Sequence, residues 1–201
     1  EKSAYPLITK IKNNDFFGHI FIYRDRKSKE EYILNIFSHT NEKLLDIELQ
    51  PIEKNYQERN VSKLLYSDNK IIYLDEYNSN TFYLVEIEIE KSKNKFNQKN
   101  ISHKKFQDKI DMDIRIINGK LFTAYINKNK KLYFDENEIT DNCRFMKIIN
   151  LKGLPKLCFQ KDKLNLIDLH TRAITEIQDI NNVSNFSIHE IKDGNKNYIK
   201  S

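Results

Sequence analysis

The sequence predicts an all-β fold. Three observations lead there: short bursts of Ile, Leu, Tyr and Phe that never hold a helical period, turn-forming residues at intervals of about 8–12 positions, and a unit that recurs along the chain. That unit is an aromatic, a polar turn containing Lys, and an apolar burst closed by Asp. It reads Tyr66, turn, Ile71–Leu74, Asp75; then Tyr125, turn, Leu132–Phe134, Asp135; then Phe159, turn, Leu164–Ile167, Asp168. Strand–turn–strand units recurring every few tens of residues point to stacked or radial sheets.

From the N-terminus, Ala4–Ile11 is a strand candidate whose Pro6 suits an edge or a strand start. Phe16–Tyr23, the polar stretch Arg24–Glu31 and Tyr32–Phe37 follow as strand, turn, strand, and Lys43–Leu49 reads as a strand or a helical turn. The charged stretch from Pro51 to Asn60 is read as a loop. The second unit is the clearest: Val61–Tyr66, a turn at Ser67–Lys70, Ile71–Leu74, a turn at Asp75–Thr81 and Phe82–Ile89. Val85, Ile87 and Ile89 alternate with Glu86, Glu88 and Glu90, so this strand has one buried and one wet face.

From Lys91 to Lys109 the alternation stops, and seven Lys stand against one acidic residue. This segment is expected to be a basic loop inserted between units. The third unit runs through Ile114–Ile117, Leu121–Ile126, Leu132–Asp135 and Phe145–Ile149, with Asn118-Gly119 as the strongest hairpin signal because both positions tolerate positive φ. A fourth comprises Leu157–Phe159, Leu164–Leu169 and Ala173–Ile180. A fifth begins at Phe186–Ile191, turns at Asp193-Gly194-Asn195 and stops after Tyr198-Ile199.

At 201 residues the chain is long enough for one sizeable core, and a repeat through most of it favours one domain over residues 1–201. It has 28 Lys against 6 Arg, with 28 Ile and 24 Asn, a skew toward AT-rich codons that makes the formal charge of +5 weak evidence for an anionic partner. Cys143 and Cys158 lie in segments read as strands with no CxxC or Cys/His cluster around them, and are read as buried thiols. That usage suits an intracellular compartment, cytoplasm or nucleus. No apolar run approaches the ~20 residues needed to span a bilayer as a helix.

The stretch Lys163–Ile177 resembles the third and fourth strands of a WD-type β-propeller blade, with Ile167-Asp168 where the family places Trp-Asp. Leu74-Asp75 and Phe134-Asp135 match in the same way, and Arg24-Asp25 loosely. The chain has no Trp, its one Gly-His pair, Gly18-His19, stands directly before a strand, and the aspartates are unevenly spaced. The resemblance implies an irregular β-propeller, or a fragment of one, built of four-stranded blades. The competing all-β architecture is a barrel or sandwich of consecutive hairpins.

Residues able to carry chemistry are few. An Asp directly after an apolar strand hydrogen-bonds the N–H groups of the turn, so Asp75, Asp135 and Asp168 are read as hairpin locks. The histidines, His19, His39, His103, His170 and His189, lack the spacing of a metal site, and four glycines, at 18, 119, 153 and 194, cannot write a phosphate-binding loop. Asp108, Asp111 and Asp113 lack the Gly and Glu of a calcium loop and are read as solvated. No catalytic residue, metal site or cofactor is assigned. The one candidate binding site is Lys91, Lys93, Lys95, Lys99, Lys104, Lys105 and Phe106, which mix phosphate-neutralising charge with rings able to stack on bases. The expected function is a non-enzymatic protein–protein interaction scaffold within a larger assembly, with other protein subunits as partners. The alternatives are RNA association through 91–109 and a propeller-type enzyme.

Overall fold

A computed structural model of the chain describes residues 3–12, 16–24, 30–55, 59–92, 95–151, 153–169, 171, 173–177, 189–193 and 196–200. Every regular element among them is a strand. The strands form antiparallel meanders in which each pairs with the next in sequence. The first sheet is β1 (Ser3–Lys12), β2 (Phe16–Arg24), β3 (Glu30–Ser38) and β4 (Lys43–Glu48), and the second is β5 (Arg59–Ser67), β6 (Lys70–Tyr77), β7 (Thr81–Lys91) and β8 (Phe96–Gln107). The third is β9 (Lys109–Ile117), β10 (Lys120–Asn127), β11 (Leu132–Phe134) and β12 (Asn137–Thr140). The fourth is β13 (Phe145–Leu151), β14 (Leu154–Gln160), β15 (Leu164–Asp168) and β16 (Ile174–Ile177), followed by the hairpin β17 (His189–Asp193) and β18 (Lys196–Lys200). The chain divides into two compact units, Glu1–Gln107 and Asp108–Ser201.

Tight turns hold the meanders in register. Ser67 pairs with Lys70, Ile117 with Lys120 and Phe134 with Asn137, so each of these connections has two residues. Their central residues, Asp68-Asn69, Asn118-Gly119 and Asp135-Glu136, all have positive φ. Positive φ at both positions is the type I′ geometry, whose twist matches that of the flanking strands. Pro6 lies in β1, an edge strand, beside a register shift, where its missing N–H breaks no continuous ladder.

In the first unit the core joins Leu34 and Ile36 of β3, Leu45 of β4, Val61 and Leu64 of β5, Ile71 and Tyr73 of β6, and Val85, Ile87 and Ile89 of β7. The alternation read in β7 holds: Val85, Ile87 and Ile89 are buried while Glu86 and Glu88 are half-buried and Glu90 is exposed. Ile72 and Leu74, on the opposite face of β6, are buried as well, so the strand reads as a continuous apolar run. In the second unit, Phe122, Ala124 and Ile126 of β10 pack with Met146 and Ile148 of β13 and with Leu157 and Phe159 of β14.

Several expectations change. Most of the segment read as a basic loop, 91–109, is strand β8, paired with β7 from Thr81 opposite Gln107 to Lys91 opposite Phe96. Phe145–Ile149 opens the fourth sheet, and the third is completed by Asn137–Thr140, which no apolar burst marks. In both, the strand is outermost, has a partner on one side only and lies largely in solvent: in β8 only Phe96 and Phe106 are buried, and in β12 Ile139 and Thr140 are half-buried, so little apolar alternation is required. Lys43–Glu48 is a strand rather than a helical turn. Asp25, Lys93, His170, Arg172, Gly194 and Asn195, together with residues 178–188, lie outside the described residues.

Candidate functional site

The predicted binding residues gather along one hairpin. Lys91 closes β7, and the Lys95 carbonyl of the connecting turn accepts from the Ser92 N–H and hydroxyl, both at 2.8 Å. Lys99 is the extra residue where the β7–β8 register shifts, and its Nζ lies 3.3 Å from Glu90. Lys104 stands over the Phe106 ring at 5.2 Å. Lys105 covers the Tyr83 ring at 5.5 Å and donates to Glu53 Oε1 at 2.8 Å. Phe106 itself is buried, opposite Phe82, and Phe96 packs edge-on against Phe16. His103 meets Tyr83 edge to face. These three rings hold the hairpin together, and the cations remain outside it.

Glu53 ties this hairpin to the segment after the first sheet. Its carboxylate accepts from both the Lys105 ammonium and the Tyr83 hydroxyl. The Lys105 hydrogen bond, followed by that of Tyr83, lowers the Glu53 pKa, and the Glu53 contact raises that of Lys105. These groups lie at the surface, so the effect on stability is small.

A second polar cluster was not legible in sequence. Arg59, on β5, and Asp75, on β6, form a buried pair in which Nε reaches Oδ1 at 2.9 Å and Nη2 reaches Oδ2 at 2.7 Å. Arg59 Nη1 donates to the Leu49 carbonyl at 2.9 Å, and its guanidinium lies 4.5 Å from the Tyr32 ring centre. The Tyr32 hydroxyl donates to the Arg59 carbonyl at 2.8 Å. The Tyr77 hydroxyl donates to Asp75 and accepts from the Ile52 N–H. Burial acts to lower the Arg59 pKa, but the hydrogen bonds and charge of Asp75 outweigh it and raise the value, so the guanidinium stays charged. Burial pushes the Tyr77 phenol up to about 12. The cluster clamps β3, β5, β6 and the segment after β4 to one another. A cleft of about 300 Å³ lined by Arg59, Asn60, Glu76, Asn78 and Ser79 opens beside it.

The aspartates divide by role. Asp168 locks its turn by accepting the Thr171 N–H at 3.0 Å, and pairs with Lys156 at 2.9 Å. Asp135 accepts from the Thr123 N–H and hydroxyl across the sheet. Asp75 corrects the expectation of a hairpin lock: it lies within the second strand of its sheet and serves Arg59. Asp113 corrects the expectation of a solvated residue. It is buried and accepts the Ile148 N–H at 2.8 Å, while Arg115, two positions along the same face of β9, donates to the Ile148 carbonyl at 3.1 Å. The pair caps backbone groups on β13, the edge of the fourth sheet.

Cys143 and Cys158 are buried free thiols, with pKa values pushed by burial up to about 11 and about 12. Cys158 lies in β14, and Cys143 in the connection before β13. Among the described residues no group of three or more His, Cys, Asp and Glu is placed to hold a metal ion, and no helix is long and apolar enough to cross a membrane.

No protein-family model matches the sequence, and no curated protein matches it. The structure is similar to the crystal structure of the WD40 domain of SCAP from fission yeast, with a TM-score of 0.53 and 12% identity over 94% of this chain and 58% of that one. The chain thus spans a little over half the length of the solved domain, and at this identity the likeness concerns the fold. Its four-stranded antiparallel meanders resemble the blades of a WD-like β-propeller, in a degenerate form without Trp.

Proposed function

We propose that this chain is a non-enzymatic scaffold that binds other proteins. The observation that carries the reading is where its polar side chains go. The buried charged ones among the described residues, Arg59, Asp75 and Asp113, are engaged in holding strands together, whereas many of the exposed ones lie on tight turns and outer strands fixed by the sheets behind them. Such a framework presents a rigid, sequence-tolerant surface.

RNA association through β8 is the second reading, favoured by a strand that contains lysines and no acidic residue. It is less well supported than the first. Stacking on bases needs exposed rings, and those of Phe96 and Phe106 are covered. Lys99 and Lys105 also sit beside carboxylates. Isolation of the tagged full-length protein from its own cells, with and without nuclease, separates the two. A protein partner retained in fixed ratio after nuclease is expected. A lone chain, or a complex that nuclease dissolves, overturns the scaffold reading.

A further inference from the structure

Among the described residues β8 has one hydrogen-bonded strand partner, β7, and forms the outer edge of its sheet. Nine consecutive residues, Asn97 to Lys105, are exposed. The direction of its backbone groups follows from a hydrogen bond on the far side of β7. There the Ile89 N–H donates to the Asn69 carbonyl at 2.9 Å, so Ile89 faces β6. Backbone groups alternate sides along a strand, so Ile87, Val85 and Tyr83 face β6 too, and Glu88, Glu86 and Leu84 face β8. Their partners are Asn100, Ser102 and Lys104. Ile101, His103 and Lys105 are left with N–H and C=O turned to the open edge.

An open edge is a template for another strand. Charge selects which one. Phe96–Gln107 contains Lys99, Lys104 and Lys105 and no Asp or Glu, so a second copy of β8 would set cations against cations. An acidic strand meets the opposite field. The ion pairs already made by Lys99 and Lys105 are at the surface, contribute about 0–1 kcal/mol each and are readily exchanged. Ile101, at 47% exposure, supplies an apolar contact at the centre of the strand.

We infer that the open edge of β8 docks an extended acidic segment of a protein partner, which adds to the sheet as a further strand, its apolar side chains beside Ile101 and its carboxylates beside Lys99 and Lys104. The inference rests on the scaffold reading and names the surface and the partner's chemistry. Main-chain bonds supply affinity in this mode, and alternate side chains supply selectivity.

The test is fluorescence anisotropy of a labelled peptide of alternating Glu and Val with the full chain. Ile101→Pro removes an N–H that β7 does not use, so the fold persists and peptide affinity falls by about tenfold or more, roughly the contribution of one main-chain bond and its displaced neighbours. Lys99→Glu with Lys104→Glu weakens binding without touching the backbone, and keeps the test decisive if the proline variant misfolds. A Lys and Val peptide is expected not to bind. The inference is overturned if the proline and charge variants bind the acidic peptide as wild type does, if the Lys and Val peptide binds equally, or if single-stranded RNA binds in its place and ignores Ile101→Pro. Should tagged Ile101→Pro keep its cellular partner as wild type does, the edge is the wrong surface and the scaffold reading stands. Failure of the wild-type chain to hold any partner removes the scaffold reading itself.

Discussion

Arg59 and Asp75 show how much a single pair decides. The two side chains stand 16 positions apart, and each is buried at a cost that the other does most to offset. Asp75→Ala leaves the guanidinium buried with the Leu49 carbonyl and two aromatic rings for company. A loss of about 3–5 kcal/mol is expected, read as a lower urea midpoint at unchanged slope. The thiols make a second expectation at this scale. Cys158 is neutral in the folded state up to about 12 against 9.0 in the unfolded chain, so its contribution is complete below pH 9.0 and is lost as pH rises. By pH 11 the loss amounts to about 2–3 kcal/mol. Urea midpoints measured between pH 8 and 11 should fall steeply in the wild type and less steeply in Cys158→Val; equal slopes in both would remove Cys158 as the cause.

Among the elements, the strands divide by how far their sequence announces them. β7 is legible because one face is buried, so Val85, Ile87 and Ile89 must alternate with glutamates. The Asn118-Gly119 turn is legible because positive φ at two successive positions narrows the choice of residues. β8 and β12 are not, since a strand that lies largely in solvent is specified by its partner's backbone and leaves little pattern in its own side chains. The same reasoning yields a measurable signature. Amides of Asn100, Ser102 and Lys104, bonded to β7, are expected to exchange hydrogen more slowly than those of Ile101, His103 and Lys105, and exchange resolved by residue should show that alternation. Uniform protection along β8 would mean that its edge is covered.

For the molecule as a whole, each of the two compact units has buried apolar clusters of its own. The slowest-exchanging amides are expected in the central strands β6, β7 and β14, and Ile87→Ala or Leu157→Ala to cost about 2–5 kcal/mol each, read from urea midpoints. A cost well below this at either site would show that its core is loosely packed. The recurring aromatic–turn–Asp unit takes its meaning only at this scale. It marks the first hairpin of the second sheet but the middle hairpin of the third and fourth. Asp75 and Asp135 are therefore out of step with each other, whereas Asp135 and Asp168 are in step, and the uneven spacing of the aspartates combines that offset with sheets of unequal length.

The all-β class, the order of the strands, the buried face of β7 and the type I′ turn at Asn118-Gly119 were determined by the sequence itself, because each depends on residues close together in the chain. Period-two burial and turn dihedrals are local properties. Tertiary structure alone decided that Lys91–Lys109 supplies an edge strand, that Phe106 is covered, that Arg59 meets Asp75, and that Asp113 and Arg115 grip Ile148. Each of those outcomes joins segments whose encounter depends on which strand lies beside which, and a polar residue carries no mark of the partner that will satisfy it.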